Sequence, residues 1–354
     1  MRWSLVVPAL LASVAARPGM KAVMEEIEHL AAPQPMIGDL ATLADSELSP
    51  TGALVKAILL HSAPPQSLDT YTPPSLSSSS CHSDPCCVWS HISTSLHAQF
   101  TSPSGHCTAA ARSALRLAFH DAGAWDLFSP DGGADGSILL NAAESQRPEN
   151  AGLAAAVAAA RAIHANYTGL GFAISAADLV QVAGNVATVS CPGGPRVRTF
   201  VGRHDSAADA PRGKIPSPSA GAAELVELFA NKTIGPRGLV ALLGAHSVSR
   251  QRFVDESRAL QPQDATPGVW DTVYFRQTLA RQAPRHVFRF ESDVNLANYA
   301  ETRGEFEEFA GQGGQEAWNN DYAREFIRLS LLGVNNINTM TECTKALPLP
   351  VQKC

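Results

Sequence analysis

From Cys81 onward, apolar residues recur every three or four positions in one segment after another, a rhythm that admits little besides packed helices. Trp89–Phe100, Thr108–Ala122, Gly152–Ala165, Ser175–Ala187, Ala220–Ala230 and Pro236–His246 carry it. Trp270–Leu279, Leu296–Ala300 and Trp318–Leu332 continue it. Loops rich in Gly, Pro and Asp, such as Ser129–Gly136 and Gly193–Arg196, separate these segments. The alternation that marks a half-buried strand is scarce, and no internal repeat is present. The expected fold class is mainly α.

A chain of 354 residues is long enough for one large domain or two smaller ones. With 45% apolar and 17% charged residues, most of it has the composition of a folded protein. The balance of 27 Lys and Arg against 33 Asp and Glu excludes a globally basic nucleic-acid binder. No apolar run reaches the roughly 20 residues of a membrane-spanning helix, so neither nucleic acid nor membrane is an expected partner.

At the N-terminus, Arg2, the apolar stretch Leu5–Val14 and Ala15-Ala16-Arg17 predict a signal peptide over residues 1–16 and hence a secreted, extracellular protein. The sequons at Asn166 and Asn231 agree with secretion. So do the seven dispersed cysteines, which lack the paired CxxC units of a zinc site and read as disulfides with one left over. Cys86 and Cys87 are adjacent and should reach different partners; spacing alone does not give the connectivity.

Residues 17–80 differ from the rest. Amphipathic Met20–Leu30 and Thr51–Leu60 are followed by Pro64-Pro65, Pro73-Pro74 and the serine-rich run Ser75–Ser80. This composition predicts a propeptide-like or flexible N-terminal extension outside the main domain. A cleaved propeptide, a flexible extension and an access lid all remain open.

Three patterns carry chemistry. Arg116 and His120 are four apart, so on a helix they share one face about a turn apart, framed by Leu115, Leu117 and Phe119. A fixed cation beside a neutral imidazole suits proton transfer with stabilisation of a departing anion, although most such pairs are surface decoration. Asp121 and the loop Gly132–Ser137 offer the hard oxygens that calcium takes, or simply a polar turn. In Ala241–Ser247 a lone histidine, His246, ends an apolar helix, where a core or capping role is the commoner one.

Taken together and in order, Leu115-Arg-Leu-Ala-Phe-His-Asp121, Gly133-Ala-Asp-Gly-Ser137, Gly244-Ala-His-Ser247 and Ser292-Asp293 resemble the plant-type haem peroxidase superfamily. The nearest resemblance is to the secreted fungal class II peroxidases, which include the lignin, manganese and versatile peroxidases. It covers about three quarters of the chain, from Cys81 to Pro348. It implies one haem b between a distal helical domain, residues 81–200, and a proximal one, residues 201–348, followed by a tail at 349–354. By the same resemblance His120 is the distal base, Arg116 the distal cation, and Phe119 stacks near the haem. Glu144 and Asn150 belong to the distal network, with Asn150 accepting from one ring nitrogen of His120. His246 ligates the iron, and Asp293 accepts the proton of its other nitrogen.

The resemblance further implies two calcium ions. Asp121, Gly133, Asp135 and Ser137 form the distal site; Ser247, Asp264, Thr266, the Val269 carbonyl and Asp271 form the proximal one. It implies the disulfides Cys107–Cys191, Cys86–Cys343 and Cys81–Cys87. The family's cysteine after the proximal aspartate is missing from Tyr299–Phe309, which leaves Cys354 without its usual partner. The implied protein is a monomer that uses hydrogen peroxide to oxidise small phenolic or aromatic donors in one-electron steps.

Departures from the family bear on the donor. The three acidic positions used for manganese are Ala109, Ser113 and Arg252 here, and the surface tryptophan of lignin peroxidases falls at Ala241. Both routes are expected to be absent, which leaves a generic peroxidase. The alternatives are a ligninolytic enzyme relaying electrons through Trp125, Trp270 or Trp318, and a non-catalytic secreted calcium-binding protein on the same scaffold.

Overall fold

The computed structural model describes residues 34–352. Its longer helices begin with α1 (Pro50–Leu59), α2 (Cys87–Phe100), α3 (Ala109–Ala122), α4 (Ala154–Gly169) and α5 (Ala176–Ser190). They continue with α6 (Ala222–Ala230), α7 (Pro236–Leu243), α8 (Val273–Leu279), α9 (Glu291–Ala297), α10 (Ala300–Ala310) and α11 (Gly314–Leu329). Among the described residues the sheet is one antiparallel pair, β1 (Phe200–Val201) with β2 (Thr341–Glu342), matching Phe200 to Glu342 and Val201 to Thr341. The fold is mainly α.

Helix α5 is its centre. Every residue of it except Ala183 is buried, and Ser175 caps it by accepting from the Asp178 N–H at 3.0 Å. Small residues let other helices come close. A Cβ on Gly184 would sit 2.7 Å from the Cβ of Ala118 on α3 and 3.1 Å from the Phe326 ring on α11. Helix α3, capped by the Thr108 hydroxyl, is thereby pressed onto α5, which fixes the height and rotation of Arg116 and His120.

Residues 81–200 and 201–348 share one core. Arg203, buried, donates to Asp178 Oδ1 on α5 at 2.9 Å and to the Ser330 carbonyl at 2.9 Å, while the Gly202 N–H donates to Asp178 Oδ2 at 2.6 Å. Disulfides join Cys81 to Cys87, Cys86 to Cys343 and Cys107 to Cys191. Cys354 and the signal-peptide region lie outside the described residues, as does the amphipathic stretch Met20–Leu30.

The extension departs from expectation. From Pro35 onward the chain belongs to the same compact unit as the rest. Ile37, Leu40, Val55, Ile58 and Leu59 are buried. Asp39 accepts from the N–H groups of Ile337 and Asn338 at 2.9 and 3.0 Å. Arg328 donates to the Pro35 carbonyl at 2.8 Å, and Arg324 to that of Ile58 at 3.2 Å. The proline- and serine-rich stretch is held too, because buried Arg196 donates to the carbonyls of Ser67 and Asp69 at 2.7 and 2.8 Å. Linker-like composition misled here because these partners are remote in sequence.

Two helix boundaries also differ. The expected helix Pro236–His246 ends at Leu243, and His246 rides a tighter 3₁₀ turn, Gly244–Val248. Leu296–Ala300 spans a break between α9 and α10. Helix α10 was missed because its charged run, Glu301 to Glu308, conceals the buried Phe306 and Phe309.

Candidate active site

On α3, His120 is buried, and its Nδ1 lies 2.8 Å from Oδ1 of Asn150. The orientation of that amide follows from its other end, where Nδ2 donates to the Glu144 carbonyl at 2.8 Å. Oδ1 therefore faces the imidazole as an acceptor, so Nδ1 carries the proton and Nε2 presents a lone pair. Arg116 Nε donates to this Nε2 at 3.2 Å. The other guanidinium nitrogens donate to the carbonyls of Ala151 at 2.7 Å and Glu149 at 2.9 Å. Burial first, then the Arg116 charge, lowers His120 to about 3, so the imidazole stays neutral. Phe119, half-buried, meets the His120 ring edge-on at 5.8 Å and lies near-parallel to Phe229 at 6.3 Å. Glu144 contributes its main chain to Asn150; its carboxylate instead accepts from Ser137 Oγ at 3.2 Å and the Ala210 N–H at 3.1 Å.

His246 Nδ1 lies 2.9 Å from Oδ2 of buried Asp293, whose helix α9 begins two residues earlier. Among the described residues no group bonds Nε2, and the side chain keeps 32% exposure beside a fully packed partner. An imidazole oriented by a carboxylate and offering Nε2 could hold a haem iron. Tyr274 and Phe290 wall the ring edge-on at 5.9 and 5.5 Å.

The two sets of calcium residues differ in completeness. Asp121 is wholly buried and accepts from the N–H groups of Gly136 at 3.2 Å and Ile138 at 3.4 Å. Burial, Asp135 and Glu144 hold its carboxyl well above the usual range. Buried Ser137 donates its N–H to Asp135 Oδ1 at 2.9 Å, and the Gly133 carbonyl accepts from the Asp135 N–H. Around Asp264, Thr266 donates its N–H to Oδ1 at 2.8 Å and its hydroxyl to Asp271 at 3.1 Å. Asp264 is raised to about 7 by burial and by Asp271. Its Oδ2 and the hydroxyl oxygen of Ser247 are buried with no protein partner. Orphaned oxygens beside crowded carboxylates fit a hard cation. The Val269 carbonyl has no contact that ties it to this group, though its N–H donates to Thr266 within the same loop.

Other positions are less expected. Ala109 and Arg252 are exposed and Ser113 is half-buried. Burial and the charges of Arg250 and Arg252 lower Arg112, so this corner is cationic. Ala241 is fully buried. Sequence reasoning missed Lys232, and nothing in the polar, turn-rich segment Asn231–Gly238 around it signals that its side chain is buried. Fully buried, it donates to the Trp125 carbonyl at 2.6 Å and pins the loop that follows α3; burial lowers it to about 7. Of the two sequon asparagines, Asn166 is exposed and Asn231 half-buried.

The sequence pattern defining the family described as "Peroxidase" matches residues 92–312. "Peroxidase" of Arthromyces ramosus is 30% identical over 291 residues, covering 75% of this chain and 77% of the relative. "Ligninase C" of Trametes versicolor is 32% identical over 272 residues, 70% of this chain and 71% of its own length. "Manganese peroxidase 2" of Phlebia radiata is 30% identical over 292 residues, 75% and 73% respectively. With that match, and with two imidazoles each oriented by its own side-chain acceptor, the chain belongs to the peroxidase family and is a haem peroxidase of the fungal class II type.

Proposed function

We propose that the chain is a secreted, monomeric, calcium-braced peroxidase that reduces hydrogen peroxide and oxidises small phenolic or aromatic donors, in which His120 and Arg116 would act on peroxide and His246 would hold the haem iron. One observation carries this reading: the chain Glu144 carbonyl, Asn150 amide, His120 leaves a neutral, lone-pair-bearing Nε2 beside a guanidinium.

Bound haem supplies the redox chemistry. His120 Nε2 takes the proton from the near oxygen of peroxide and returns it to the far oxygen, which leaves as water. Arg116, held by two backbone carbonyls, places its charge where the departing oxygen becomes negative. Asn150 keeps the Nδ1 proton in place throughout. His246 would hold the iron through Nε2 while Asp293 draws on its Nδ1 proton.

The relatives carry the names peroxidase, ligninase and manganese peroxidase at nearly equal identity, so the donor is argued from this chain's own residues. Arg252 and its cationic neighbours repel Mn²⁺, and Ala241 is buried and not redox-active. Low-potential phenols remain. An absorption spectrum of the purified holoenzyme before and after one equivalent of peroxide tests the site. Steady-state rates on a phenol, Mn²⁺ and veratryl alcohol test the donor. Efficient Mn²⁺ oxidation would overturn the donor assignment, and a missing Soret band the whole reading.

A further inference from the structure

Trp270 and Trp318 are both fully buried, and their indoles stack with centroids 4.8 Å apart and planes 3° from parallel. We propose that this pair is a second redox centre, at which neutral hydroxylated aromatic donors held in the cleft beside Asn319 are oxidised. The proposal deepens the peroxidase reading and rests on it.

The pair is joined to the haem side. Trp318 Nε1 donates at 2.9 Å to the carbonyl of Ala241, five residues before His246 on the segment that leads into its turn. An aromatic path runs beside that link: His246 to Tyr274 at 5.9 Å, Tyr274 to Phe275 at 5.2 Å, Phe275 to Trp318 at 5.3 Å. Gly244 makes the approach possible, since a Cβ there would lie 2.3 Å from Trp318 Nε1 and 2.7 Å from the Phe275 ring. Phenylalanine is too hard to oxidise. The Tyr274 hydroxyl is buried with no hydrogen-bond partner among the described residues, so its phenol has nowhere to send the proton that one-electron oxidation would release. The stacked indoles are therefore where an electron hole comes to rest, shared between two rings.

The polar contacts of the pair suit that role. Trp318 donates to a peptide carbonyl and Trp270 to the Asn319 amide oxygen at 3.1 Å. Neither acceptor is a base, so an ionised indole keeps its proton and remains a strong oxidant. Beyond Asn319 lies a cleft of about 500 Å³, lined also by Gln66, Thr272, Gln315, Glu316 and Asn320. Amides, a hydroxyl and one carboxylate give it hydrogen-bonding groups on a wall that is otherwise apolar, and none of its lining residues is cationic, which favours neutral hydroxylated rings over anionic ones.

The electron balance is closed by the known reaction. Haem, once bound and oxidised by peroxide, would supply the oxidant, and the indole pair would give up one electron to it. One electron from the phenol then refills the pair, and the phenol loses its proton to water as a phenoxyl radical forms. Two such transfers per hydrogen peroxide give two phenoxyl radicals and two waters.

Freeze-quench electron paramagnetic resonance of the holoenzyme mixed with one equivalent of peroxide and no donor tests this. The expected result is an indole-radical signal whose width changes when the protein carries ring-deuterated tryptophan, a readout that needs no variant. Trp318→Phe and Trp270→Phe lose most of the signal, whereas Trp125→Phe keeps it. Asn319→Asp, which gives the Trp270 N–H a base, shifts the spectrum towards the deprotonated radical. A preformed phenol quenches the signal, and Glu316→Lys raises the phenol concentration needed. Insensitivity to tryptophan deuteration, or survival of the signal in both Trp→Phe variants, overturns the proposal. Peroxide consumed by a normal Soret species without an indole radical sinks this inference alone; absence of that species sinks the peroxidase reading with it.

Discussion

Oδ1 of Asn150 faces Nδ1 of His120 at 2.8 Å because the other end of the same amide is committed to the Glu144 carbonyl. Tautomer choice at His120 is thus set by a main-chain group beyond its direct partner. Asn150→Ala removes the acceptor and frees the imidazole, and the rate constant for reaction with peroxide, read by stopped-flow absorbance, should fall roughly 10- to 100-fold. Asn150→Asp restores an acceptor but adds a negative charge, so His120 should gain protons at higher pH. A variant matching the parent rate would remove Asn150 from the mechanism.

The pH dependence follows from the same site. His120 is lowered to about 3 by burial and Arg116, so its base form persists above that pH and is lost as pH falls through it. The peroxide step should be nearly flat from neutral pH downward, then drop about tenfold per unit below the His120 value. Arg116→Gln removes one cause of the lowering. Its acid limb should move up in pH while its plateau falls about 100-fold.

Calcium binding should appear as stability. Asp264 Oδ2 and the Ser247 hydroxyl oxygen are buried without partners, and Asp121 is wholly buried. An ion that binds only the folded protein adds about 3 kcal/mol when its free concentration is ~100-fold above Kd. Chelation should lower Tm by several degrees and broaden the Soret band, and calcium should restore both where magnesium does not. Asp264→Asn should abolish part of the calcium response; an unchanged melting curve on chelation would leave these sites without a metal.

The donor corner offers a gain-of-function test. Restoring acidic side chains as Ala109→Glu, Ser113→Glu and Arg252→Asp should raise Mn²⁺ turnover from near background by an order of magnitude or more, read as Mn³⁺–malonate formation. The parent should show no saturable Mn²⁺ oxidation.

Helix α1 should contribute to global stability. Ile58 is fully buried, and Ile58→Ala should cost about 2–4 kcal/mol in a denaturant titration. Asp39→Ala leaves two backbone N–H groups uncapped and should cost about 1–3 kcal/mol. Negligible changes would mean that this segment is merely draped on the surface.

The helix rhythm from Trp89 onward, and the four-residue spacing of Arg116 and His120, are legible in the sequence because they are local, whereas Asn150 was reached only through the family resemblance. What was not legible depends on distant partners. Residues 35–80 read as a linker because nothing in Pro64–Ser80 announces that Arg196, Arg324 and Arg328 wait for its backbone carbonyls and those of the segment before it. Helix α10 hid two buried phenylalanines behind glutamates. Trp270 and Trp318 were each visible, but the 47 intervening positions say nothing of two rings lying face to face.

The seating of residues 35–74 changes what maturation can mean for this molecule. A protease cutting within Ser75–Ser80 would meet an exposed serine run, yet would liberate nothing at once: Arg196, Arg324 and Arg328 would retain the upstream piece. The nicked product would travel as two polypeptides through a sizing column and part only in denaturant.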